Sequence, residues 1–219
     1  QWLTRKWGLP AGTNKIKFRA RSASGNNLYL DNIKIKSSNL FTQFNIKLVP
    51  EGLYNGSNKV RKDTVKIYLR NISSPFAVVD SSTTFIDDAN LVSACVFKFA
   101  ASGTYYLQVI HRNSLEVWSK TGGESMTKGI TGNYDFTSLQ SQTYGNNSVL
   151  VGLKYCIPSG DVNQDGIIDA SDVSEVDNNA SLSLSGYVQS DLNGDDFVDA
   201  ADLSIVDNNS YLSLSLIRP

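Results

Sequence analysis

Through the middle of the chain, apolar residues recur at every second position in short runs. Val65, Ile67 and Leu69 fall on one face of residues 65–70, and Leu107 and Val109 on one face of 104–111. That two-residue period marks a half-buried strand. Runs at 46–49, 76–79, 94–99, 115–119 and 149–155 are similarly rich in β-branched and aromatic residues. Seven or so short strands, separated by Gly, Asn and Ser, predict a mainly β chain built on an antiparallel β-sandwich over residues 40–157. Two more strands, 16–21 and 28–36, flank Ser-Ala-Ser-Gly-Asn-Asn and predict a β-hairpin within residues 1–39. The period then changes. Val173 with Val176, and Leu203 with Val206, have the i, i+3 spacing of two short helices able to pack together. A small α-type module is therefore expected over residues 158–219.

That module is one acidic sentence written twice. Asp161-Val-Asn-Gln-Asp-Gly-Ile-Ile-Asp-Ala-Ser-Asp172 returns thirty residues later as Asp191-Leu-Asn-Gly-Asp-Asp-Phe-Val-Asp-Ala-Ala-Asp202. Oxygen-bearing side chains recur at loop positions 1, 3, 5, 9 and 12. Calcium needs about six to eight oxygens, which a short loop supplies only by curling around the ion. The expected ligands are Asp161, Asn163, Asp165, the Ile167 carbonyl, Asp169 and Asp172. In the second loop they are Asp191, Asn193, Asp195, the Phe197 carbonyl, Asp199 and Asp202. Two ions are thus expected. Magnesium prefers fewer protein ligands. Zinc would want the thiolate or imidazole that both loops lack. Ile168 and Val198 should point inward while the neighbouring backbone pairs with the other loop. Gly166 and its counterpart Asp196 stand where φ turns positive.

The tail resembles a dockerin, a duplicated calcium-binding module found at the ends of many secreted bacterial proteins. The resemblance runs from about Gly160 to the C-terminus and rests on the two loops. It implies loops that close on Asp and lack an entering helix, in keeping with Pro158 and Gly160 ahead of the first one. Asp169 and Asp199 can cap the departing helices, with Asp172 and Asp202 in their first turns. The Asn pairs 178–179 and 208–209 suit helix termination, and the Ser-Leu-Ser-Leu tracts beyond them read as extended. Family members bind cohesins through positions 10 and 11, here Ala170-Ser171 and Ala200-Ala201. Gly103-Thr-Tyr-Tyr-Leu is similar to the turn and strand of carboxypeptidase-regulatory or transthyretin-like sandwiches of immunoglobulin-like build. Gly25–Ile33 is similar to the closing strands of jelly-roll adhesion domains.

Charge divides along the chain. Residues 1–157 carry nineteen Lys and Arg against nine acids, whereas residues 158–219 carry one Arg against twelve. The acids read as metal ligands and the bases as solvated strand faces. Scattered lysines without a recognition motif argue against nucleic acid, and no stretch is apolar enough to span a membrane. Extracellular calcium would saturate such loops, so an exported product, outside the cell or on its surface, is expected. Cys95 and Cys156 could join as a disulfide or stay as buried thiols. The sequons at Asn55, Asn71, Asn146, Asn179 and Asn208 merely permit glycosylation.

Catalysis has little to stand on. His111 is the only histidine, and Glu51, Glu116 and Glu124 belong to no recognisable carboxylate pair. The leading expectation is a non-catalytic, calcium-stabilised structural protein that self-associates, as an oligomer or fibre, through its N-terminal strands with Trp2 and Trp7 as anchors. The first alternative is the cohesin-binding dockerin end of a larger secreted hydrolase. The second is a carbohydrate-binding module that stacks glycans on Tyr105, Tyr106, Trp118 and Tyr134.

Overall fold

The computed structural model of the protein describes residues 8, 16–17, 41–57, 61–87 and 89–219. The hairpin expected around residues 22–27, with Trp2 and Trp7, lies outside the described residues. The chain divides into two units, 1–37 and 38–219, and the second holds both the sandwich and the acidic module.

Two sheets face each other across the core. One has the order β4 (Val92–Phe97), β1 (Thr42–Lys47), β8 (Thr131–Asp135), with β1 antiparallel to β4 and parallel to β8. The other runs β3 (Val78–Phe85), β2 (Thr64–Asn71), β5 (Gly103–His111), β6 (Ser114–Trp118), and β7 (Glu124–Met126) also pairs with β5. Val65, Ile67 and Leu69 point into the core beside Leu107, Val109, Phe44 and Ile46, as the alternation predicts. Run 149–155 is a hairpin of β9 (Val149–Val151) and β10 (Lys154–Cys156), turning at Gly152. β3 extends well past the predicted 76–79, through Ser81-Ser-Thr-Thr84, because backbone pairing with β2 carries it where the side chains give no apolar signal. Cys95 and Cys156 are both free and buried, and burial pushes each thiol up to about 12.

The aromatic platform expected for glycans is not present as such. Tyr105, Tyr106, Trp118 and Tyr134 are all buried. Tyr106 and Trp118 meet each other and Phe76 edge to face, while Tyr134 packs on Phe136. Rings consumed in this way fill space between strands and present no open face to a sugar.

Beyond the sandwich, α1 (Ala170–Ser181) and α2 (Ala200–Tyr211) each leave an acidic loop. Asp169 and Asp199 cap them, and Asp172 and Asp202 bond back to the capping residue's own N–H, so each helix start is a reciprocal capping box. The helix ends differ from expectation. Both Asn pairs lie inside the helices, and Ser183 and Ser213 take the left-handed conformation just beyond them. Asn209 stays helical because it is buried and donates to the Ser159 carbonyl at 2.8 Å.

The loops also pair otherwise than expected. Ile168 and Val198 do point inward, but their N–H groups donate to Leu214 and Leu184 carbonyls, each in the Ser-Leu tract of the other repeat. Leu216 N–H reaches the Gly166 carbonyl and Gly186 N–H the Asp196 carbonyl, completing the reciprocal exchange. The tracts expected to be extended are therefore turns at Leu182-Ser183 and Leu212-Ser213, and each then makes a single antiparallel bridge to the opposite loop, Ser185 with Phe197 and Ser215 with Ile167. The final residues turn back over the sandwich. Asn147 donates to the Ser215 carbonyl at 3.0 Å, and Arg218 pairs with Glu116 at 3.1 Å.

Candidate metal centre

The first loop is held open by its own short-range bonds. Asn163 Oδ1 accepts from Asp165 N–H at 2.8 Å, Asp165 Oδ1 from Ile167 N–H at 3.0 Å, and Asp169 Oδ1 from Ser171 N–H at 2.7 Å. These side chain to main chain turns curl the chain about its own oxygens. Asp172 is fully buried and brackets the loop, taking Val162 N–H on one oxygen and Asp169 N–H on the other. Asn193, Asp195, Asp199 and Asp202 repeat the pattern bond for bond. Gly166 has φ 90° and Asp196 φ 73°, both left-handed as the turn requires.

Among the described residues, no three Asp, Glu, His or Cys side chains converge as a metal-holding group by themselves. The donor set predicted for calcium instead mixes carboxylates with Asn163, Asn193 and main-chain carbonyls, as a hard cation accepts. One atom tests the fit. Asp161 Oδ1 is buried without a hydrogen-bond partner. Burial, aided by the Asp172 and Asp165 carboxylates, outweighs the main-chain N–H groups of Gly166 and Asp165 and pushes the Asp161 carboxyl up to about 6. A buried, unpaired carboxylate oxygen is costly unless a cation meets it, so the loop chemistry fits calcium.

The module's core is not closed by the module alone. Leu115 of β6 is fully buried among Val162, Ile168, Val176, Leu192, Val198 and Val206. Around it the sandwich presents polar groups to the start of the second loop. Arg112 donates to the carbonyls of Val188 and Asp191, bonds Asp63 at 3.0 Å and lies 4.5 Å over the Tyr187 ring. Asn113 donates to Gln189 and Asp191 carbonyls at 3.0 and 2.9 Å. Sequence reading missed all of these, since Arg112 and Asn113 sit in an unremarkable turn and act on residues almost eighty positions away.

Asp63, His111 and Ser114 also meet here. His111 Nδ1 lies 2.9 Å from Ser114 Oγ, and Nε2 lies 3.4 Å from Asp63 Oδ2, near enough for charge to act though too poorly aligned for a hydrogen bond. The trio has the residue types of a nucleophilic triad. Ser114 is 1% exposed, however, so no substrate reaches it. Burial alone would raise Asp63, but His111, Tyr187 and Arg112 outweigh it and hold the carboxyl well below the usual range. Burial pushes His111 below its ordinary value against the pull of Asp63. The unfolded chain therefore takes up a proton near pH 6.5 that the folded chain refuses, and this stability is lost as pH falls. Wild type is expected to lose melting temperature relative to His111→Gln between pH 7 and 5. Parallel melting curves across that window would contradict the assignment.

Residues 159–210 match the family model of the dockerin type I domain. The chain ends in a dockerin-like module. Dockerin type I domains bind calcium, in agreement with the loop chemistry. Among solved structures, the chain is similar to one in a C-terminal interface mutant of a type II cohesin–X–dockerin complex from Acetivibrio cellulolyticus. That match has 18% identity and a TM-score of 0.45, and covers 77% of this chain and 94% of that one. An N-terminal interface mutant of the same complex matches at 19% identity and TM-score 0.44, covering 77% of this chain and 92% of that one. A search of curated proteins finds no match to the sequence.

Proposed function

We propose that this chain is the docking end of a secreted assembly component, with a calcium-loaded dockerin that binds a cohesin and a sandwich that holds the dockerin in shape. The duplicated loop-and-helix unit that matches the dockerin family carries this reading. Two calcium ions are bound, one held by Asp161, Asn163, Asp165, the Ile167 carbonyl, Asp169 and Asp172. The second is held by Asp191, Asn193, Asp195, the Phe197 carbonyl, Asp199 and Asp202. The ions draw each loop closed and so fix the start of each helix. Ala170-Ser171 and Ala200-Ala201 are exposed at those starts, where a partner can read them.

The described residues act in assembly and not in catalysis, and any chemistry belongs to other parts of the protein or its partners. Location outside the cell or at its surface follows from the same reading, and no described helix is long and apolar enough to cross a membrane. Self-pairing would rest on residues 1–37, whereas the dockerin match favours docking to a cohesin.

Immobilised cohesin domains of several types should capture the chain in calcium and release it in EGTA. Asp161→Ala combined with Asp191→Ala should abolish capture. Undiminished capture by that double variant in EGTA, or none by wild type across the panel, would count against the proposal.

A further inference from the structure

The two loops share a sequence pattern but not an electrostatic setting. Loop one has four carboxylates, whereas loop two has five because Asp196 replaces the glycine at position 6. Loop one's first ligand, Asp161, keeps a buried oxygen with no partner. The equivalent Asp191 is already engaged on both oxygens. Its Oδ1 accepts Gly194 N–H at 2.8 Å, and its Oδ2 lies 3.5 Å from Arg61 Nη1. The same guanidinium nitrogen is bonded to Asp196 Oδ1 and lies with its group 5.1 Å over the Tyr187 ring. Arg61 comes from the sandwich, just before β2. Loop one has no such visitor among the hydrogen bonds and ion pairs of the described residues.

We infer that Arg61 is a built-in counter-cation for loop two, which makes the calcium sites unequal: loop one fills first, and loop two is the weaker site. The inference rests on the calcium reading above and adds an order of loading to it. The physical reason is simple. A cation bound at loop one satisfies an oxygen that nothing else satisfies, so binding there relieves a cost. A cation bound at loop two must share the Asp191 carboxylate with a guanidinium already on it, and like charges repel at that range. In the absence of its ion, loop two keeps a positive partner across Asp191 and Asp196 and stays docked on the sandwich. Falling calcium therefore empties loop two before it disrupts the contact. The arrangement gives the sandwich a part in setting metal affinity, beyond that of a support.

Calorimetric titration of the full chain with calcium tests this. Wild type should show two separable steps, and Asp165→Asn should weaken the tighter one. Arg61→Gln should tighten the weaker step by about tenfold, the scale of one nearby charge in a partly solvated site, and leave the tighter step in place. Asp196→Gly gives a second and opposite check. If position 6 mattered only for its left-handed backbone, glycine would improve the site. With Arg61 left facing Asp191 alone, the weaker step should instead weaken by several-fold. A single class of site in wild type, or a weaker step unmoved by Arg61→Gln, overturns the inference while leaving calcium binding intact. No heat of calcium uptake by any variant overturns both.

Discussion

Transfer from about 1 mM calcium into excess EGTA is expected to unfold the dockerin module while the sandwich stays folded. With a dissociation constant near ~10 μM, millimolar calcium stabilises a site by about 2.7 kcal/mol. The module has little in reserve to lose. Its own buried apolar side chains amount to Val162, Ile168, Val176, Leu192, Val198 and Val206, with Leu115 lent by the sandwich and partly buried neighbours around them. Small cores of this kind are marginal without a metal or other staple. Without cations, the carboxylates of each loop also repel one another. The sandwich core, by contrast, is a separate cluster running from Phe44 to Ile157. Hydrogen exchange should show α1 and α2 losing protection in EGTA while β2 and β5 keep theirs. Loop one should dominate the loss, since Asp161 carries the unsatisfied oxygen. An unchanged exchange pattern in EGTA would mean that the loops hold their shape unaided.

The repeated loop was legible because the same twelve positions occur twice, and because capping and turn chemistry both favour Asp and Asn at those positions. Helix starts were legible for the same local reason, and the capping boxes at Asp169 and Asp199 match. Helix ends were not. Asn209 is held in the helix by a buried bond to Ser159 fifty residues earlier, and no local propensity reports that. The strand faces of β2 and β5 followed from alternation. Ser81–Thr84 of β3 could not, because an edge strand of small polar residues looks like a loop until its partner is known. The same blindness explains the aromatic platform. Tyr106 and Trp118 read equally as binding or filling residues, and their packing on each other, on Phe76 and on Tyr144 decides between them. What the sequence withheld altogether is the contact between sandwich and module, which depends on Arg112 reaching the Asp191 carbonyl and on Leu115 joining the module's core. That contact makes the acidic tail part of one unit with the sandwich.

Replacing a single hydrogen at Gly52 should separate those two parts. Gly52 follows Glu51 in the turn after β1, and its N–H donates to Ser159 Oγ at 3.1 Å. A Cβ placed there would lie 2.2 Å from the Leu192 carbonyl oxygen and 2.8 Å from its carbon. Both obstacles are backbone, so neither can swing aside as a side chain would. Leu192 is itself fully buried and follows Asp191, the first residue of loop two. Relieving the overlap means moving that loop off the sandwich, with loss of the Arg112 and Asn113 bonds to the Asp191 carbonyl. Gly52→Ala is expected to destabilise the calcium-loaded chain by about 3 kcal/mol, at or beyond the upper end of ordinary overpacking. It should also weaken the second calcium step. Gly122→Ala provides the contrast. A Cβ at Gly122 would meet no atom within 4 Å, yet the residue's φ is 94°, so conformational strain alone should cost about 1 kcal/mol. Calcium binding should be unaffected there. Urea unfolding of the two variants separates the cases, because space is the problem at Gly52 and backbone angle at Gly122. If Gly52→Ala proved as mild as Gly122→Ala, the close approach of the turn to Leu192 would be wrong, and with it the docking of the second loop on the sandwich.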